Sequence, residues 1–285
     1  MMETRRAAFA GSWYPANAAD CEREIAQFLS RGPQPEGDGR IWLGGVVPHA
    51  GWYYSGQIAC NVIHWLKDDS PPDLVVLFGM HLHPRSANHM MASGAWETPF
   101  GELPVAEKLA DHLKQRYPFE LETPRRFVPD NTIELQLPFV KYLLNPAQIL
   151  AVGVPPQRDS LEIGRTIGAW ASTNGMRLKV IGSTDLTHYG RNYGFSPQGS
   201  GESAVDWVRE ENDRRIVDAL LDMAPERVID EGTSRQNACC AGAAATAVAT
   251  VQKMGARKSK KLAYATSYDK SPGDSFVGYA GVVFG

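Results

Sequence analysis

Long apolar runs are what this chain most plainly lacks. No uninterrupted stretch approaches the roughly 20 residues that a membrane-spanning helix requires, which excludes a helical membrane protein. An excess of positive charge is also missing. Lys and Arg total 29 against 32 Asp and Glu, a formal net charge of −3, so electrostatics give no case for nucleic acid or an anionic membrane as partner. The basic run Arg257-Lys258-Ser259-Lys260-Lys261 is too short to reverse that and reads as a solvated loop. Cysteine is scarce. Four of them, at 21, 60, 239 and 240, make no framework that could staple 285 residues. The start, Met1 to Trp13, has no signal-like apolar core, and a reducing cytoplasm is the expected compartment. Repeats, low-complexity tracts and linkers are absent too; Gly32 to Gly39 reads as a surface loop. One domain over residues 1–285 is expected.

What is present is an ordinary globular balance, 43% hydrophobic and 21% charged, enough to bury a sizeable core. Apolar runs over Ile41–Val47, Asp73–Gly79, Gln148–Val154, Arg177–Gly182, Lys261–Tyr268 and Ser275–Phe284 predict buried strands. Helical spacing predicts helices over about Ala18–Leu29, Val105–Arg116, Leu161–Ala171, Asp213–Met223 and Cys240–Met254. Another, capped by Ser55, carries Ile58, Ala59, Val62, Ile63 and Leu66 on its apolar side. The alternation predicts an α/β fold, with a mixed or mostly parallel central sheet flanked by helices.

Chemistry in such folds gathers where strands end. The run Leu43 to Val47 ends in Pro48-His49-Ala50-Gly51. A histidine there can hold a metal, move a proton, or simply bond a carbonyl in a turn. The next run ends in Met80-His81-Leu82-His83. Both histidines face one way if that segment is extended, and only one faces the site if it turns. A third strand runs into Ser183-Thr184-Asp185-Leu186-Thr187-His188, where Asp185 and His188 are spaced to meet across a turn. They read as an orienting carboxylate with a general base, a pair beside a metal, or a helix cap with an exposed histidine. Cys239-Cys240 opens an Ala-rich helix, whose dipole favours a thiolate suited to iron, copper or zinc; alternatively both are packing residues. His64, His89 and His112 lie within or beside elements and read as structural or surface residues.

Five segments carry a resemblance. They are Phe9-Ala10-Gly11-Ser12-Trp13-Tyr14-Pro15, Pro48-His49-Ala50-Gly51 with Tyr54-Ser55-Gly56, Ile133-Glu134-Leu135-Gln136-Leu137-Pro138-Phe139, Ser183 to Gly190, and Asp274 to Ala280. In order and number they resemble the Memo-like family, known in bacteria and archaea as AmmeMemoRadiSam system protein B. That family is similar in fold to class III extradiol dioxygenases, which use non-haem Fe(II). The resemblance implies a Memo-like domain over the whole chain and a metal site made of His49, His81 and Cys240, with Cys239 as the neighbouring alternative. It gives Asp185 and His188 the remaining catalytic positions. It also implies Fe(II) as cofactor, with Cu or Zn as alternatives. This chain departs from the family in having Asp130-Asn131-Thr132 where a histidine is usual, Cys240-Ala241 where Cys-Gly is usual, and its second histidine displaced to His83. Asn131 can donate a hydrogen bond but cannot act as acid or base.

Two function classes follow from that resemblance. One is a mononuclear non-haem iron redox enzyme, oxygenase or oxidase, with an unidentified small-molecule ligand. The other is a module that holds metal or a peptide without turnover. A metal-dependent hydrolase, with His188 activating a metal-bound water, is a third and weaker reading.

Overall fold

The computed structural model describes residues 2–35 and 40–285. The predicted loop at Gly32–Gly39 therefore falls partly outside the described residues, at 36–39. Among the described residues the main sheet has nine strands: β1 (Gly44–Val47), β2 (Leu74–Gly79), β3 (Asn88–Met91), β4 (Phe119–Glu122), β5 (Gln148–Gly153), β6 (Leu178–Ser183), β7 (His188–Tyr189), β8 (Ser259–Thr266) and β9 (Phe276–Phe284). Their order is β7-β9-β1-β6-β2-β5-β3-β4, with β8 also paired to β9. The neighbours β1, β6, β2 and β5 run parallel, while β9 joins β1 and β3 joins β5 antiparallel. The sheet is mixed around a parallel centre, and the α/β class matches the expectation. A separate three-stranded sheet is formed by Thr4–Arg5, Ala95–Trp96 and Leu103–Pro104.

The central strands are buried along their whole length, and apolar apart from Lys179 and Ser183 in β6, because helices cover both faces. Two adjacent glycines show how. A Cβ on Gly44 would press on Val251 of the helix Ala241–Lys253, whereas one on Gly45 would press on Val62 of the helix Gln57–Trp65. Successive residues of a strand face opposite ways, so these helices lie on opposite faces. The Ala-rich helix sits unusually close. Gly182 in β6 has Ala247 and the Ala243 carbonyl where its own Cβ would be. Small residues on both surfaces draw the helix down onto the strands, and its first turn arrives beside their C-terminal ends. No helix among the described residues is long and apolar enough to cross a membrane.

The elements differ from the sequence expectation mainly at edges. The first strand begins at Gly44 rather than Ile41, and β8 begins at Ser259, inside the basic run expected to be a loop. The short strands β3, β4 and β7 and the helix Pro225–Arg235 carry too little periodic signal to be read beforehand. Ser55 does not cap its helix. The hydroxyl donates to the Ala50 carbonyl at 3.0 Å, and a wide turn over Trp52–Gly56 precedes the regular helix.

Behind the site, Asp213 is fully buried and fixes the segment that follows β6. Its Oδ1 accepts from the Thr187 amide at 3.0 Å and the Thr187 hydroxyl at 2.5 Å, and its Oδ2 accepts from the Tyr264 hydroxyl at 2.7 Å. Burial pushes the Asp213 carboxyl up to about 7, against these hydrogen bonds. Gly278 backs the same carboxylate, and a Cβ there would overlap Oδ2. Gly278→Ala is therefore expected to cost about 1–3 kcal/mol of stability in denaturant unfolding, as overpacking does. The raised Asp213 pKa also fixes a sign. Between its ordinary 3.8 and about 7 the folded state holds a proton that the unfolded chain has released, so this group's contribution to stability falls as pH rises through that window. In thermal unfolding, Asp213→Asn should remove that fall, so the variant's midpoint gains on the wild type's as pH rises toward 7 and stays level with it beyond. A parallel pH dependence in both proteins would contradict the assignment.

Candidate metal centre

Three of the expected residues lie two positions beyond the ends of adjacent parallel strands: His49 after β1, Asp185 after β6 and His81 after β2. Parallel pairing puts those ends side by side, which is why residues more than a hundred positions apart meet. The helix Ala241–Lys253 adds Cys239 and Cys240 from its N-terminal side. One ligand-capable atom from each of His49, His81, Cys239 and Cys240 lies within 4.8 Å of the others.

Each member is held by identifiable partners. His49 is buried, and its Nδ1 lies 3.0 Å from the Ser183 hydroxyl, leaving Nε2 facing the Cys239 sulfur at 3.3 Å. When Nδ1 is tied up in this way the other ring nitrogen is presented as a donor. The His49 backbone amide donates to Asp185 Oδ1 at 2.7 Å, and its carbonyl accepts from Asn131 Nδ2 at 3.0 Å. His81 stands edge-on to His49, with ring centroids 4.9 Å apart, and its Nδ1 lies 3.7 Å from Asp130 Oδ2. It follows Met80, whose φ of 72° is a conformation non-glycine residues seldom adopt; the Met80 amide donates to the Thr132 hydroxyl at 2.7 Å. Thr132 in turn donates to Asp130. The chain turns after β2, and His83 is left exposed and outside the cluster.

Of the two sulfurs, Cys239 has the direct contact with His49. Cys240 is buried behind it, with the sulfurs 3.7 Å apart. The sequence expectation put the ligand on Cys240, with Cys239 as the alternative; both sulfurs lie in the cluster, and Cys239 makes the contact with His49. A pair of adjacent cysteines at a helix start does not reveal from sequence which sulfur will face the site. The Cys239 amide donates to the Asp185 carbonyl at 3.1 Å and the Cys240 amide to the Thr184 hydroxyl at 3.0 Å, so β6 fixes both.

The charges are interdependent. Burial opposes ionisation of Cys239, but the Cys240 thiol and the two histidines outweigh it and hold Cys239 well below an ordinary thiol. Cys240 is pushed well up by burial and by that neighbouring charge. Burial likewise disfavours the imidazolium of His81, yet Asp130 and Cys239 prevail and its pKa rises to about 10. A thiolate beside histidine rings that give up their protons to a bound cation is a mix of soft and borderline donors suited to a transition metal. Asp185 is only 5% exposed, and burial raises its pKa against the pull of His49 and His188. Its Oδ2 lies 3.9 Å from both His49 Nε2 and His188 Nε2. The expected pair of Asp185 and His188 therefore does come together, with His188 partly exposed.

Above the cluster is a cleft of about 600 Å³ whose lining includes His49, His81, Asp185 and His188. Its walls carry Trp13, Tyr53, Tyr54 and Tyr193, all substantially exposed. Sequence reasoning gave no role to these aromatics, nor to Ser183 and Asp130, although Trp13, Tyr54 and Ser183 fall within the segments that carry the resemblance; the fold is what brings them to the cluster. Trp13 reaches the cleft because Glu134, buried in the segment Ile133 to Phe139, accepts from the amides of Ala8 and Phe9 and from the Tyr14 hydroxyl.

Comparison with known proteins agrees with this geometry. The model of the family described as Memo-like protein matches residues 5–283. The chain is 30% identical over 288 residues to a MEMO1 family protein of Pyrococcus furiosus, covering 98% of each. It is 31% identical over 294 residues to a MEMO1 family protein of Methanopyrus kandleri, again covering 98% of each. Among solved structures, an uncharacterized protein from Escherichia coli K12 superposes with a TM-score of 0.55 at 12% identity, covering 86% of this chain and all of that one. That likeness concerns fold alone. On its family match over residues 5–283 and its identity to these relatives over nearly their full length, this chain belongs to the Memo-like family.

Proposed function

We propose that this chain is a mononuclear metalloenzyme, a non-haem iron oxidoreductase in which His49, His81 and Cys239 hold the ion and a small molecule occupies the cleft above. The observation that carries the reading is the convergence of four ligand-capable side chains within 4.8 Å, two of which, His49 and His81, line that cleft. Two imidazoles and a thiolate fit Fe(II); Cu and Zn accept the same donors and are the ions that elemental analysis would put in its place. Bound iron would supply a redox couple and a place to activate dioxygen.

The chain's own residues supply the rest. Ser183 fixes the ring of His49 so that Nε2 serves as donor, and Asp130 does the same for His81 through Nδ1. The ligand lies against Trp13, Tyr53, Tyr54 and Tyr193, whose faces favour a planar or apolar body and displace water from the floor. His188, partly exposed in the cleft wall, is the group that takes or gives a proton, and Asp185 holds and charge-balances it from behind. Asn131 does not share that role: its amide nitrogen is committed to the His49 carbonyl, and an amide does not titrate in this range.

Anaerobic purification followed by elemental analysis should find close to one iron per chain. His49→Ala should lower retention by about 10–100-fold or more, since even supporting residues of metal sites cost that much. No metal in the wild type, with no change on replacing His49, would sink the proposal. Oxygen consumption over a panel of catechols and other small phenols tests turnover. His188→Gln should keep the metal and lower kcat by about 10²–10⁴, the usual contribution of a general acid or base. Iron retained with no oxygen uptake across the panel would leave the non-catalytic binding module as the better reading.

A further inference from the structure

The feature that sets this chain's metal centre apart is a second sulfur directly behind the first. Cys239 and Cys240 are adjacent in sequence, both sulfurs are free, and they lie 3.7 Å apart. Cys239 faces His49 at 3.3 Å and is partly exposed, whereas Cys240 is buried, with its sulfur within 4.8 Å of the ligand atoms of the other three cluster members. A sulfur pair so placed is already adjacent, and the amides of both residues hold it there, donating to the Asp185 carbonyl and the Thr184 hydroxyl.

We propose that Cys239 and Cys240 form a reversible vicinal disulfide under peroxide, a modification that withdraws the sulfur donor and switches the metal centre off. Its consequence for metal binding rests on the reading of the site given above; the bridge itself does not. The chemistry balances in two steps. The Cys239 thiol attacks one oxygen of hydrogen peroxide, the O–O bond breaks, and one water leaves a sulfenic acid on Cys239. The Cys240 thiol then attacks that sulfur, the S–O bond breaks, a second water departs and the S–S bond forms. Two thiols lose two electrons in total, and the peroxide is reduced to two waters.

The geometry also indicates why the bridge would reverse. Adjacent α-carbons across a trans peptide are about 3.8 Å apart, closer than the roughly 4.4–6.8 Å that relaxed disulfides span. A bridge between neighbours is strained, and strained bridges are the readily reduced, regulatory kind. The remaining cysteines, Cys21 and Cys60, are fully buried and are internal controls.

The test uses the full-length protein, stripped of metal by chelator, reduced, and exposed to one equivalent of hydrogen peroxide. Alkylation of remaining thiols in denaturant and mass analysis of the digest should find the Cys239–Cys240 peptide lighter by two hydrogen atoms and unalkylated, with Cys21 and Cys60 alkylated. Dithiothreitol should restore both thiols. Loading with Fe(II) or Co(II) should fall at least about tenfold in the oxidised protein and recover on reduction. In Cys240→Ser, which leaves the facing sulfur in place, peroxide should leave a dimedone-reactive sulfenic acid on Cys239 and no bridge. Both thiols remaining alkylatable after peroxide, or Cys239 passing to the sulfinic acid without a bridge, would overturn the proposal. If the reduced protein binds no metal but the bridge forms, the metal reading fails and the disulfide stands; if metal binds and no bridge forms, the reverse holds.

Discussion

Asp185 is the constraint on which the site depends. Its carboxylate accepts the backbone amide of His49, its carbonyl accepts the amide of Cys239, and its second oxygen stands 3.9 Å from the rings of His49 and His188. One buried residue thus ties the end of β1, the end of β6 and the start of the Ala-rich helix into a single unit. Burying a carboxylate is costly unless it is hydrogen-bonded and paired with positive charge. Here the His49 amide and the rings of His49 and His188 meet that need, and two of the residues Asp185 holds, His49 and Cys239, belong to the candidate metal centre. The geometry that satisfies Asp185 is therefore the geometry that assembles the ligands.

That arrangement needs a helix close to the sheet. Gly44 and Gly182 on the strands, opposite an alanine-rich face, let the helix Ala241–Lys253 descend until its first turn meets the strand ends. Larger residues at those positions would hold the helix off and take Cys239 away from His49. Packing at the centre of the molecule and chemistry at its edge are coupled in this way, through rigid elements rather than through the site's own contacts.

The sequence makes parts of this legible for physical reasons. Nearly unbroken apolar runs reveal β2 and β5 because strands buried on both faces need no polar alternation, and in β6 only Lys179 interrupts such a run before Ser183. Strand-end placement draws attention to His49, His81, Asp185 and His188, and the fold brings all four to one cleft. Less legible is whatever depends on the third dimension. Asp130 sits in an ordinary polar segment, and its role arises only when the chain turns at Met80 and presents His81 to it. The aromatic wall comes from separate regions, around Trp13, Tyr53 and Tyr193, with no shared motif. Which of two adjacent cysteines faces inward depends on the direction of approach of one helix, and no local pattern encodes it. His83 shows the converse: its spacing from His81 suits a ligand pair only in extended chain, and the turn removes it.

X-ray absorption at the edge of the metal retained by anaerobically purified protein tests the central claim most directly. The account predicts one sulfur and two imidazole nitrogens in the first coordination sphere, with the sulfur lost in Cys239→Ser and kept in Cys240→Ser. A sphere without sulfur, or one that loses its sulfur only in Cys240→Ser, would contradict it.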